Sequence, residues 1–415
     1  MGAGSFLNRQ SPPHIVTLVL VVALSALSMN IFLPSLPSIS DYFNADKRVV
    51  QLTITLYLFA TAFLQPILGP LSDYYGRRPV VLFGLIGFLV GTIVCIYAPN
   101  IEVLLIGRII QATSAAGMVI SRAIIRDMVG RDKAASMIGY VTMGMAIAPM
   151  IGPTIGGYLD EYFGWQAAFW LLFAFSIIVY IITWADLGET RKVAAPDLTS
   201  QFASYPVLLR SRRFWGYSLT AAASAGSFYA ILGGGPYVAT QYFELTPSQF
   251  GMYFAIISIG YMFGNYLSGR FAEQIGIAPL LIFGNVVVAM GVLLAFLLLV
   301  GGSKNALYFF LPISLVGVGN GMSLPSANAG IVSLHPSLAG AASGLGGFLQ
   351  IVIGATLSMI AGFVLGPLSN PAPMLILMMA IAILGICFAY YVVYIDKQET
   401  RRNIMREQGA VSENE

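Results

Sequence analysis

Between Lys304 and Asp396 the chain carries no Asp, Glu, Lys or Arg at all. Charged residues are 9% of the whole, and they fall in short clusters separated by long apolar stretches. No aqueous fold keeps that much uncharged chain in solution, so lipid is the solvent for most of it. A crossing helix needs about 20 apolar residues, and about twelve windows supply them: 15–37, 49–71, 79–98, 101–124, 134–158, 165–186, 213–236, 247–269, 278–300, 305–329, 338–364 and 371–394. The expected fold is an all-α membrane protein of twelve transmembrane helices.

The remaining charges set an orientation. With the N-terminus in the cytoplasm, the even-numbered loops and the C-terminal tail hold Arg77, Arg78, Arg126, Arg191, Arg212 and Arg401, whereas the opposite loops hold Lys47, Arg48 and Lys304. This is the positive-inside asymmetry and predicts a multi-pass protein of the inner (plasma) membrane with both termini cytoplasmic. The basic clusters are therefore topology signals facing the lipid bilayer, and nucleic acid is not a partner. The apolar run after Arg9 reads as the first span, because no small-residue cleavage site follows it and Pro34 and Pro37 interrupt its end. Cys95 and Cys387 fall inside spans and read as small buried hydrophobes.

Punctuation divides the chain into 1–186, a polar linker 187–212, 213–395 and a charged tail 396–415 expected to fray. The two large pieces read as pseudo-symmetric six-helix bundles. Gly69-Pro-Leu-Ser-Asp73-Tyr-Tyr-Gly76-Arg77-Arg78-Pro79 joins spans 2 and 3, and Asn265-Tyr-Leu-Ser-Gly269-Arg270 with Gly276 stands at the matching place after span 8. Aligned on Leu-Ser, the second copy lacks the acid and the Arg pair. Tandem six-helix repeats place a binding site between the halves near the bilayer midplane.

Arg108 is a permanent cation inside span 4. None of the 18 acidic residues falls well inside a span, so no embedded carboxylate neutralises it. An unpaired intramembrane cation costs about 2.5–3.5 kcal/mol or more unless water reaches it. A hydrated cavity is therefore expected around Arg108, with ties to helix carbonyls as the structural alternative. Asn30 in span 1 lies at the same depth, roughly 10 Å below the outer end at about 1.5 Å per residue. Arg108, Gln111, Ala115, Met118 and Arg122 recur at helical spacing and form one stripe. Weaker candidates for the cavity wall are Tyr229, Tyr237 after the Gly233–Pro236 break, Tyr253, Asn320 and Gln350, where helix–helix glue is the competing reading.

Three stretches resemble the major facilitator superfamily. The loop Gly69, Asp73, Gly76, Arg77 and Arg78 matches that superfamily's signature and reads as a conformational latch. Arg108-Ile-Ile-Gln111 is similar to its Arg-x-x-Gln-Gly pattern. Gly144, Pro149, Gly152, Pro153, Gly156 and Gly157 in span 5 look like the antiporter motif, whose small residues permit close packing and a bend. Asn30-Ile-Phe-Leu-Pro34-Ser-Leu-Pro37 is similar to a stretch of the Bcr/CflA-like drug exporters, with Asn30 where that branch commonly has Asp.

The resemblance implies a monomeric exporter of small, largely hydrophobic drugs or antibiotics, working by alternating access in exchange for protons and needing no cofactor. With Asn30 in place of the acid, titration would fall on Asp73, Asp127 or Asp41, or on the substrate. The alternative is a carrier of an anionic metabolite or nutrient with Arg108 as counter-charge. Catalysis is not expected: the histidines are His14 and His335, near span ends, and neither a phosphate loop nor a metal-ligand cluster is present.

Overall fold

The computed structural model describes residues 7–10, 12–128, 137, 141, 148, 151–191, 205–299, 303–334, 339–365 and 370–412, and every regular element among them is helical. In chain order the helices are α1 (Ile15–Asn30), α2 (Leu36–Phe43), α3 (Lys47–Tyr75), α4 (Arg77–Ile96), α5 (Ile101–Gln111), α6 (Ala115–Met128), α7 (151–163), α8 (Gln166–Asp186), α9 (Tyr205–Leu209), α10 (Arg212–Tyr237), α11 (Pro247–Ile275), α12 (Ile277–Leu299), α13 (Leu307–Ser333), α14 (Ala339–Val364) and α15 (Pro371–Ser412). Among the described residues, 10 helical stretches are long and apolar enough to cross a bilayer. Two of the expected spans are interrupted. A 3₁₀ turn, Leu33–Ser35, separates α1 from α2, and another, Ala112–Ser114, separates α5 from α6.

Polar residues start the helices where the sequence supplies them. Asp46 caps α3 by accepting from the Arg48 N–H at 2.7 Å, and Asn100 caps α5 by accepting from Val103 at 3.0 Å. Thr246 and Gln249 form a capping box on α11, with Pro247 in the first turn. Two glycines stop the helices that precede the repeated loops. Gly76 (φ 106°) ends α3 with its N–H on Ser72 O, and Gly276 (φ 80°) ends α11 with its N–H on Ala272 O. Positive φ makes glycine the natural residue at both stops.

These stops correct the register of the repeat. Helices α3 and α11 each run 29 residues, and each is followed at once by the next helix, so Gly69, Asp73, Gly76 and Pro79 pair with Gly269, Glu273, Gly276 and Pro279. The Leu-Ser match lies one helical turn out of register. The second copy keeps an acid, Glu273, and lacks the Arg pair, having Ile277 and Ala278 instead. A turn that needs positive φ fixes register better than two residues any helix accepts.

Helices α1–α6 and α8 pack chiefly on one another, as do α10–α15, while α3 lies along α14 and α7 touches both groups. Ties at one face hold both chain ends: Asp186 at the end of α8 accepts from His14 N at 2.8 Å and Thr17 Oγ1 at 2.6 Å, and Arg213 pairs with Asp396 at 2.5 Å. We call this the terminal face and its opposite the distal face. The tail departs from expectation, since α15 continues to Ser412. Its sequence beyond Asp396 is rich in Gln, Glu and Arg, which favour helix once a preceding helix removes the cost of nucleation. The described part of the linker also packs rather than tethers: Leu187 is buried, and Arg191 donates to Asp73 O at 3.0 Å. Cys95 is buried as expected, whereas Cys387 is exposed on α15.

Candidate functional site

Arg108 comes from the last turn of α5 and is fully buried. Its Nε donates to Thr53 O on α3 at 3.2 Å. Its Nη1 donates to Gln111 Oε1 at 2.5 Å and reaches Ser28 O and Ser28 Oγ on α1, each at 3.4 Å. Two aromatic faces complete the shell, with the guanidinium carbon 4.2 Å from the Phe32 ring centre and 4.3 Å from that of Tyr57. Nη2 has no hydrogen-bond partner among the described residues. The charge is thus spread over carbonyl dipoles, an amide and two π faces, each ring adding about 0.5–2 kcal/mol.

The hydrated cavity expected around Arg108 is not there. Its accessible surface is 0%, so no water-sized void touches it in this conformation, and an anion has no approach. The structural alternative, ties to helix carbonyls, describes what is found. Asn30 is buried too, but it turns back on its own helix: Nδ2 donates to Ala26 O at 2.7 Å, and Oδ1 has no partner among the described residues. Ser28 meets Arg108 in its place. Gln111 extends the network to α4, donating to Thr92 Oγ1 at 2.8 Å.

The predicted wall residues separate into two sets. Tyr237 and Asn320 are buried in helix packing, whereas Tyr229, Tyr253 and Gln350 stay half-buried. The Gly233–Gly235 run brings α10 close to its neighbours: a Cβ at Gly233 would overlap Ser358 O of α14, and one at Gly234 would overlap Met374 of α15. Tyr229 presses its ring on Gly354 of α14 and lies within electrostatic reach of Tyr57 and Tyr261. These three hydroxyls come from α10, α3 and α11, and so from both helix groups. Phe228 packs on Phe254 with ring centres 6.1 Å apart, and Tyr253 stacks on Phe310 at 5.1 Å. Both ring pairs belong to the second group, and between the groups stand the three tyrosines, rings with hydroxyls suited to an apolar ligand that needs a few directional contacts.

At the distal face the groups touch closely. Gln51 Nε2 donates to Ser358 Oγ at 3.2 Å, Thr154 Oγ1 to Gly251 O at 3.0 Å and Ser248 Oγ to Glu161 at 2.5 Å. The described antiporter-motif glycines make this contact possible. A Cβ on Gly156 would overlap Ile31 O, and one on Gly157 would overlap Pro247 O across the seam. Gly152 lies against Leu27 and Asn30, while Gly144 and Pro149 fall outside the described residues. Asp41 is exposed near this face.

At the terminal face Arg77 pairs with Asp73 at 2.5 Å and with Asp127 of α6 at 3.0 Å, and it donates to Ser72 Oγ at 2.6 Å. Arg78 takes no part in that pairing. It donates instead to Leu187 O at 2.8 Å and Trp184 O at 3.2 Å. Glu189 closes the loop by accepting the backbone N–H groups of Arg77 and Arg78 at 3.0 and 3.3 Å, and it sits where a Cβ on Gly76 would go. A Cβ on Gly69 meets nothing within 4 Å. Sequence reasoning missed Glu189, Ser28, Thr53 and Tyr57. The first was legible as the acid two residues before Arg191 in the linker, but backbone carbonyls carry no sequence signal.

The sequence model of the Major Facilitator Superfamily matches residues 18–355. The chain belongs to that superfamily. It is a multi-pass membrane transporter, not an enzyme. It is similar to the bicyclomycin resistance protein homolog of Haemophilus influenzae, 26% identical over 93% of this chain and 97% of that one. It is similar also to the chloramphenicol resistance protein of Pseudomonas aeruginosa, 29% identical over 80% of each chain. A solved human organic anion transporter superposes with a TM-score of 0.70 at 19% identity, covering 91% of this chain and 98% of that one. That likeness speaks for the fold alone.

Proposed function

We propose that this facilitator exports small, largely hydrophobic drugs or antibiotics across the bacterial inner membrane, as a monomer with both termini cytoplasmic, in exchange for protons. The observation that carries the reading is the likeness to two drug-resistance proteins over at least 80% of each chain. The tyrosines Tyr57, Tyr229 and Tyr261 where the two groups meet support it, because an apolar cargo is bound by contact area and a few hydroxyls rather than by a counter-ion. The helix groups 1–186 and 213–395 are the moving bodies, and they rock about a fixed central site. The conformation described has the distal seam shut.

Protons act at acids outside the apolar centre. Asp73 and Asp127 share Arg77, so protonating either loosens the loop that joins α3, α4 and α6. Asp41, exposed near the distal face, is the remaining candidate. The test is transport of a panel of antibiotics and dyes by protein reconstituted in vesicles, with and without an imposed pH gradient. Gradient-dependent movement of apolar compounds is expected. Movement of small anions with indifference to drugs would replace this reading with the nutrient or metabolite carrier.

A further inference from the structure

The distal seam holds a carboxyl group to which the transport reading assigns no task. Asp160 lies one turn beyond Gly156 and Gly157 on α7 and is only 7% exposed. Its Oδ2 accepts from Ser38 Oγ of α2 at 2.6 Å, and its Oδ1 has no hydrogen-bond partner among the described residues. The next residue, Glu161, is solvent-exposed and bonds to Ser248 of the other helix group. A buried carboxyl with one bare oxygen therefore sits beside the contact that must part if the distal side opens: it is held by α2, and the 3₁₀ turn Leu33–Ser35 next to α2 touches α10 and α11 of the other group.

The described groups around it leave its charge uncompensated. The 3₁₀ turn and α2 supply the hydroxyls of Ser35 and Ser38, and the charge that acts on it is Glu161 of its own helix. The facing stretch of α11, residues 247–251, carries no ionisable side chain. Burial raises the Asp160 carboxyl above the ordinary carboxylate range. The two serine hydroxyls oppose that shift, and Glu161 adds to it. Burying a neutral acid costs far less than burying its anion.

We propose that Asp160 is a proton-binding site that governs the distal seam, the neutral acid belonging to the closed seam and the carboxylate to the open, hydrated one. The closed state binds the proton more tightly than the open state does. Its advantage is complete at low pH and is lost as pH rises through the closed-state value. Protons on the distal side thus return the empty carrier to the distal-closed form. The proposal rests on the seam opening, as alternating access requires, and not on what is carried.

The test uses the full-length protein in lipid nanodiscs, with spin labels at Glu102→Cys and Lys304→Cys in a Cys387→Ser background. Pulsed electron spin resonance then reads distances across the distal face from pH 8 to pH 5. The short-distance population is expected to grow toward acid. Asp160→Asn should hold that population at its acid level throughout. Ser38→Ala, which removes a hydrogen bond that favours the carboxylate, should move the midpoint to higher pH, an effect that simple loosening of the seam would not give. Glu161→Gln should keep the response. A parent without a pH response, an Asp160→Asn protein that retains the parental response, or a response abolished by Glu161→Gln would each overturn the proposal. Drug transport measured on the same samples separates this outcome from failure of the exporter reading, since the distances do not depend on cargo.

Discussion

A guanidinium without a counter-ion has to be stabilised by dipoles, and Arg108 shows how many are needed. It takes the carbonyls of Thr53 and Ser28, the Gln111 amide and two ring faces, and still leaves Nη2 without a partner among the described residues. Removing the side chain strands buried acceptors at about 1–3 kcal/mol each. Arg108→Ala is expected to lower the midpoint of thermal unfolding in detergent and to abolish transport. Arg108→Lys should retain part of both, because a point charge meets fewer of these acceptors than a planar fork. Full transport by the Ala variant would remove Arg108 from the mechanism. Position 30 offers a second test, since Asn30 Oδ1 is buried with no partner among the described residues. Asn30→Asp restores the acid common in similar exporters and should change the pH profile of transport; an unaltered profile would deny the position any coupling role. The sequence made Arg108 conspicuous, because one cation among apolar residues stands out. Its partners stayed hidden, because they are carbonyls and rings brought from α1 and α3 by tertiary packing.

Helices in this molecule meet through what glycine leaves out, and α7 is the sharpest case. A Cβ at Gly156 would overlap the Ile31 carbonyl, which is backbone and cannot swing aside. Gly156→Val should therefore hold α7 away from α1 and weaken the distal seam, raising the labelling of a cysteine placed at Ser248. Gly269 is the contrasting case, since nothing lies within 4 Å of a Cβ there and it sits within α11. Gly269→Ala should be tolerated and should stabilise by up to about 1 kcal/mol through helix propensity, read as a rise in the unfolding midpoint. Loss of folding in that variant would show a packing demand at Gly269 that its open surroundings do not suggest. Span positions were legible at this scale because hydropathy and length decide them. The break at Leu33–Ser35 was legible too, from Pro34 and Pro37, but the one at Ala112–Ser114 was not, since it contains neither Gly nor Pro and is set by contacts with α3 and α4.

Across the whole molecule the same loop was built twice and charged once. The first copy has Asp73, Gly76 and the Arg pair, and the second has Glu273, Gly276, Ile277 and Ala278. Only the first can hold a buried guanidinium between two carboxylates, and that network ties α3, α4 and α6 into one unit through Arg77. The duplication was visible in the sequence, but its register required the positive-φ glycines. Sharing makes a specific energetic prediction. With Asp73→Asn or Asp127→Asn alone, Arg77 keeps one carboxylate and the Ser72 hydroxyl, so stability and transport should fall modestly. With both replaced, a mostly buried guanidinium loses both carboxylates it pairs with, and the double variant should be worse than the sum by about 0.5–3 kcal/mol in a double-mutant cycle. Thermal or denaturant unfolding in detergent, paired with transport on the same preparations, measures that coupling. Strict additivity would mean that Arg77 does not hold the two acids together, and the loop would then be a turn and a topology signal rather than a latch.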